Sequence, residues 1–317
     1  MNNYLGIDIG GTNVAYGIVN SEFGFIFQNT IKTKSFQSAE DLAEYIHKDL
    51  KANSKLDFLG IGIGAPSVNS ISQQIEYAPN LPWGDIVPLR EIFEARFNLH
   101  VVLINDANAA AVGEKNFGDA KTLSNFAVVT IGTGIGLGLY LHNQLYAGDN
   151  GLAGELGHSI IHIDGRECKC GNLGCLETYV GKKGIVRTAK EKLEFSSGGS
   201  YLNSISPSAI TPLEIFKAAK KEDPVAVEVV DAVAKDLGFS LAYLVNILDI
   251  EIIFLTGGVA KSGNIFRKKV EKYMRQYTLP NIREKVSLKV SELNEKGGAI
   301  LGAAAAIKEK VEMQATN

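Results

Sequence analysis

His158, Cys168, Cys170 and Cys175 fall within one short stretch of this 317-residue chain, and these three cysteines are all it has. The spacing His-x9-Cys-x-Cys-x4-Cys supplies four soft or borderline donors, the set that closes a tetrahedral Cys3His zinc site and leaves no position open for substrate. Three thiols cannot pair off evenly as disulfides. Cysteines placed only to fill a core would not gather in the polar, glycine-rich run 166–174. A structural Zn²⁺ is therefore expected. Glu155 and Glu177 flank the cluster. Glutamate is ordinarily a solvated surface residue, and nearness to a metal anchor marks these two as functional candidates.

A second chemistry is suggested by three glycine turns, each following an apolar run: Asp8-Ile9-Gly10-Gly11-Thr12-Asn13, Gly132-Thr133-Gly134-Ile135-Gly136 and Thr256-Gly257-Gly258-Val259. Residues without Cβ let backbone N–H groups approach phosphate oxygens, and a carboxylate such as Asp8 can hold Mg²⁺ through water. Each turn alone is equally a hairpin signal. Together they point to a nucleotide site with two phosphate-gripping turns and a Gly257-Gly258 edge for a flat base. Neither the Walker pattern nor the dinucleotide fingerprint is present. Asn105-Asp106 sits where an apolar run meets a helical one. Asp106 there is either a general base for an attacking hydroxyl or a helix cap, and spacing alone favours the cap.

The elements that must position these residues read as an α/β pattern. Apolar strands are expected at Tyr4–Ile9, Val14–Val19, Gly24–Lys34, Phe58–Ile63, Val101–Ile104, Phe126–Ile131, Gly136–Leu141, Glu251–Leu255 and Val286–Val290, with Gly64-Ala65-Pro66 as a turn. Helices are expected after Ser38, near Leu89–Phe97, from Asn105, over Val225–Leu248, near Ile265–Tyr277, and in the Ala-rich run from Gly297. Ser196–Ser208 reads as a loop. Two halves that each open strand, glycine turn, strand imply a duplicated α/β unit with an interdomain cleft. The boundaries expected are 1–118 for a smaller domain and 119–297 for a larger one holding the zinc loop, with a helix at about 298–317 returning to the first.

Charge and composition exclude other classes. Lys+Arg number 32 and Asp+Glu 35, a net charge of −3, with 45% hydrophobic residues. That is a globular balance without the basic footprint of a nucleic-acid binder. No apolar run reaches the roughly 18 residues of a membrane span. The opening MNNYLGIDIGG does not read as a secretory signal and is expected to enter a strand at once, so that no DNA-binding module is expected ahead of it. A cytoplasmic chain without membrane or nucleic-acid partners is expected.

Taken jointly, DIGGT at 8–12, IND at 104–106, IGTGIGLG at 131–138 through GELGH at 154–158, and CKCGNLGCLE at 168–177 resemble the ROK sugar kinases. The resemblance runs in order from Tyr4 to about Ile307. It implies the two-domain actin-like ATPase (duplicated ribonuclease H-like) fold and ATP–Mg²⁺ held by the turns at Asp8, Gly10, Gly11, Thr12, Asn13 and at Gly132, Thr133, Gly134, with adenosine near Gly257 and Gly258. It makes Asp106 the base that deprotonates a hexose 6-hydroxyl. It assigns the sugar to Ala65, Asn80, Asn105, Asp106, Glu155, His158 and Glu177, and zinc to the same four residues as above. A homodimer is the family's expectation. Glucose is the first substrate implied, with N-acetylglucosamine, N-acetylmannosamine or fructose as alternatives. A sugar-sensing transcriptional regulator is the reading from another class, and an actin-like polymerising or chaperone ATPase leaves the metal cluster unexplained. One departure stands out: glucokinase-like members carry a second glycine after the proline where this chain has Ser67. Losing a thiolate is expected to disturb the sugar site and spare the nucleotide turns, which lie elsewhere in the chain.

Overall fold

The computed structural model describes residues 2–54, 57–78, 80–196, 199–295 and 297–315. In chain order the strands and α-helices are β1 (Tyr4–Ile9), β2 (Asn13–Val19), β3 (Phe25–Lys32), α1 (Ala39–Asn53), β4 (Gly60–Ala65), β5 (Val68–Asn69), β6 (Gln74–Glu76), β7 (Ile86–Val87), α2 (Leu89–Phe97), β8 (His100–Asn105) and α3 (Asp106–Phe117). There follow β9 (Phe126–Ile131), β10 (Ile135–Leu141), β11 (Gln144–Leu145), α4 (Glu177–Val180), α5 (Lys182–Glu194), α6 (Pro212–Lys220), α7 (Pro224–Leu248), β12 (Ile252–Thr256), α8 (Asn264–Tyr277), β13 (Ser287–Val290) and α9 (Gly298–Ala315). The chain forms two compact units. One comprises Met1–Ser124, Gly138–Gly154 and Glu292–Asn317, the other Asn125–Leu137 and Glu155–Ser291. A single break near residue 118 does not describe this division, because β10 leaves the second unit at Gly138. That glycine lies so close to α3 that a Cβ there would sit 2.5 Å from the Ala107 carbonyl oxygen.

The first unit is built on a five-stranded sheet of order β3-β2-β1-β4-β8. β1, β2 and β3 pair antiparallel, while β4 and β8 run parallel to β1. Hydrophobicity explains the order. β4 is buried throughout and β1 at every position but Asp8, as central strands require, whereas FIFQNTIK of β3 alternates half-buried and exposed, the period of an edge strand with one face in solvent. α9 lies on this sheet because both surfaces are nearly bare of side chains: a Cβ on Gly62 of β4 would fall 1.8 Å from the Ala303 carbonyl oxygen. Small residues let helix and strand backbones touch. A three-stranded sheet, β5-β6-β7, completes the unit; its strands are too short for the hydrophobic period to announce them.

In the second unit β9, β12 and β13 run parallel within a sheet of order β11-β10-β9-β12-β13. α7 is capped by Asp223, whose carboxylate accepts the Ala226 N–H at 2.9 Å, and carries an apolar stripe from Val225 to Val245. Three helices, α4 to α6, occupy a region the sequence reading left unassigned apart from its loop at 196–208. Within that loop Tyr201–Ser204 form a 3-10 turn; Ser197 and Gly198 lie outside the described residues, as do Pro79 beside Asn80 and the terminal Thr316 and Asn317. Among the described residues no helix is long and apolar enough to cross a membrane.

Candidate active site

In the first unit the parallel strands end side by side. Asp8 of β1 lies opposite Gly64 of β4, Gly64 opposite Ile104 of β8, and Ala65 opposite Asn105. Gly64-Ala65 is therefore the end of a strand, not a turn. The reversal follows it, and Ser67 there adopts φ +54°, a left-handed backbone that suits glycine. The departure from the glucokinase pattern thus falls at a position where this chain carries backbone strain.

At the carboxyl ends of these strands, the usual place for ligands in open α/β sheets, Asp8 and Asp106 come together. The capping question resolves by one residue. Asn105 is the N-cap of α3, its Oδ1 accepting the N–H groups of Ala107 at 2.9 Å and Asn108 at 3.4 Å. Asp106 is the first helical residue, and its Oδ1 accepts the Ala107 N–H at 2.8 Å. Both carboxylates are recessed among protein atoms yet keep contact with solvent. Burial, reinforced by the negative charge of Asp106, pushes Asp8 up to about 7, and burial likewise raises Asp106. Two recessed carboxylates with raised affinity for protons suit a cation and a proton transfer.

The first glycine turn closes the β1–β2 hairpin, with the Gly10 N–H donating to the Asn13 carbonyl at 2.9 Å. Thr33, buried and unremarkable in sequence, clamps it. Its N–H donates to Thr12 O at 3.1 Å and its hydroxyl to Gly10 O at 2.6 Å. Lys32 holds the Asn13 side chain at 2.8 Å. Thr12 is exposed, and Gly11 backs onto Asn80, whose Cβ would lie 2.9 Å from a Cβ on the glycine.

The second and third turns adjoin one another in the second unit. Thr130 of β9 pairs with Thr256 of β12. Beyond them Gly257, at φ +92°, is pressed against Ile131, and the Val259 N–H donates to Ile131 O at 3.1 Å. A Cβ on Gly257 would lie 2.5 Å from that oxygen, so only glycine fits. By contrast Gly132 and Gly258 face open space. Two bare patches of backbone side by side can accept a phosphate or a flat ring.

His158, Cys168, Cys170 and Cys175 do converge: their donor atoms all lie within 4.8 Å of one another. His158 turns Nδ1 toward the thiols, 3.6 Å from Cys168 Sγ, and Cys170 and Cys175 Sγ are 3.6 Å apart. A tetrahedral site with Zn–S of ~2.3 Å spaces its ligands ~3.8 Å from one another, so the donor set fits that ion. The opposite ring nitrogen, Nε2, lies 3.8 Å from Glu155 Oε2. Glu177, the first residue of α4, reaches Cys168 Sγ with Oε1 at 3.4 Å. Arg166 ties the loop to α4 and α5: its guanidinium donates to Thr178 O at 2.7 Å and Thr188 Oγ1 at 2.9 Å, pairs with Glu191, and stacks on Tyr179 at 4.4 Å. A single arginine in a loop has no motif, and no sequence signal marked it.

A model of the ROK family matches residues 4–310. The glucokinase of Halalkalibacterium halodurans is 33% identical over 308 residues, 94% of this chain and 93% of that one. A xylose repressor of Caldicellulosiruptor bescii is 31% identical over 310 residues, 96% of this chain and 77% of the repressor. Among solved structures, a ROK family glucokinase from Streptomyces griseus in complex with glucose and AMPPNP superposes with a TM-score of 0.83 at 32% identity, covering 96% of this chain and 98% of that one.

Proposed function

The chain belongs to the ROK family, with the two-domain α/β fold of its sugar kinases, and on that premise we propose that it is an ATP-dependent hexose kinase converting glucose to glucose 6-phosphate. The observation that carries this reading is the pair Asp8 and Asp106 at the carboxyl ends of β1 and β8, the two strands that flank β4, with Asn105 taking the capping duty that would otherwise occupy Asp106. The glucose and AMPPNP in the S. griseus relative support the same substrates.

In this reading Asp106 Oδ2 accepts the proton of the sugar 6-hydroxyl as its oxygen bonds to the γ-phosphorus and the bond to the β-bridging oxygen breaks. Positioning and charge neutralisation supply most of the rate in phosphoryl transfer, so an ordinary carboxylate suffices as the base. Asp8 is the residue to hold Mg²⁺, which neutralises charge on the phosphates. The backbones of Gly10–Asn13 and Gly132–Gly134 bind the phosphates, and the edge formed by Gly257 and the open face of Gly258 takes the adenosine. Ala65 lines the sugar subsite through its backbone. The Asn105 oxygen is spent on its helix, which leaves the amide NH2 to face a sugar hydroxyl, beside Asn80.

Glu155, His158 and Glu177 are the other hydroxyl ligands. His158, Cys168, Cys170 and Cys175 would hold a structural Zn²⁺, and with Nδ1 turned toward the thiols a metal-bound His158 would carry its proton on Nε2 and so be a fixed donor. Glu155 Oε2 stands 3.8 Å from that nitrogen.

An ATP-coupled assay over glucose, N-acetylglucosamine, N-acetylmannosamine and fructose tests the proposal. The expected result is turnover with glucose at the highest kcat/KM. Sugar binding without ADP formation on any of the four identifies a regulator instead.

A further inference from the structure

The cysteine cluster and the second glycine turn are far apart in sequence and adjoin in the structure. Cys175 and Cys168 are candidate metal ligands, and the Leu176 N–H donates at 3.0 Å to the carbonyl of Ser159, next to His158. Glu177 follows at once. Its Oε1 contacts Cys168 Sγ at 3.4 Å, while its Oε2 lies against the second turn, 2.5 Å from where a Cβ on Gly134 would be. α4 is a single turn, and Gly181 beyond it touches the same loop: a Cβ there would lie 2.9 Å from Thr133 O. The Lys182 N–H then donates to Gly132 O at 3.0 Å. Residues 175–182 thus form a short strut with a metal ligand at one end and all three residues of the turn at the other.

We propose that the His158/Cys168/Cys170/Cys175 cluster sets the conformation of the Gly132–Gly134 turn through Glu177 and this strut, so that metal occupancy controls nucleotide affinity as well as sugar affinity. The nucleotide part rests on the kinase reading above. Glu177 acts toward the turn as a positioning residue, filling the space that the absent Gly134 side chain leaves. The expectation that the nucleotide turns are independent of the thiolates is thereby replaced: distance along the chain hid contact in space. A cluster serving only as a staple would have no such strut, and its loss would loosen the run 166–174 alone.

The test compares zinc-loaded protein with the same protein stripped by a chelator and dialysed, measuring Mg–ADP binding by calorimetry without sugar and amide hydrogen exchange along the chain. Stripping should raise the Mg–ADP Kd by about fivefold or more and speed exchange at residues 132–136 and at Lys182, leaving α7 and α8 as protected as before. Glu177→Ala in loaded protein should reproduce both effects. Glu177→Gln, which keeps shape and contact with Gly134, should restore nucleotide affinity while sugar affinity stays low, a separation that general destabilisation does not produce. Gly134→Ala should weaken Mg–ADP binding with the metal still bound. An unchanged Kd and unchanged exchange at 132–136 in stripped, folded protein would overturn the proposal. If loaded wild-type protein binds no Mg–ADP, the kinase reading fails, and the exchange data still decide whether the cluster governs the turn.

Discussion

Replacing Asp8 by asparagine should make the ligand-free protein more stable and useless as an enzyme. In the folded chain burial and Asp106 hold Asp8 at about 7, against 3.8 for an unperturbed aspartate. The sign follows from proton counting: between those values the native state binds more protons than the unfolded one, so the contribution of Asp8 falls as pH rises from about 4 to about 7 and is level beyond. At ~1.4 kcal/mol per pH unit the full shift corresponds to roughly 4 kcal/mol. Asp8 keeps some solvent contact and shares its field with Asp106, so about 2 kcal/mol is the working figure. Asparagine keeps the shape and removes the charge. The assay is thermal unfolding of both proteins from pH 4 to pH 8 without nucleotide or Mg²⁺. The variant should match wild type near pH 4 and exceed it by several degrees at pH 8, with turnover abolished. A gap that does not change with pH, or a variant less stable at pH 8, would refute the claim that Asp8 is held ionised at a cost.

Other positions give independent tests. Asn105→Ala removes both capping bonds of α3 and should lower stability by about 1 kcal/mol, which Asn105→Ser largely restores; thermal melts of the pair check it. Thr33→Val keeps the volume but deprives Gly10 O of its hydroxyl donor, so the KM for ATP should rise about threefold to tenfold with that for sugar little changed, as steady-state kinetics will show. Gly62→Ala drives a methyl into the Ala303 carbonyl. Neither backbone can retreat, so the loss should exceed about 3 kcal/mol and appear as insoluble expression or a collapsed melting temperature.

Much of the candidate site was legible because its residues are local. The turns at 10–12, 132–134 and 257–258 need glycine for close approach or a left-handed backbone, and the four metal-ligand candidates lie within a single loop. What was hidden depends on contact between distant segments. Thr33 matters because β3 returns alongside β2 and ends at the first turn, and nothing in the sequence around it says so. Glu177 touches Gly134 from more than forty positions away. Spacing left the cap open for a different reason: Asn and Asp are equally good caps, so Asn105-Asp106 could not reveal which residue would cap and which would be spared. Strand ends were blurred where β4 ran two residues beyond its last isoleucine into Gly64-Ala65, and β5 to β7 were too short to show a period.

Asp106 is the proposed base in a transfer to a hexose hydroxyl. The direct measurement is to incubate wild type and Asp106→Asn with Mg–ATP and saturating glucose, follow the product by phosphorus NMR, and measure glucose affinity of both proteins by calorimetry. The prediction is glucose 6-phosphate from wild type, with the variant binding glucose comparably and turning over about a hundredfold to ten-thousandfold more slowly. A variant that transfers phosphate at the wild-type rate, or a wild type that binds glucose and forms none of this product, would contradict it.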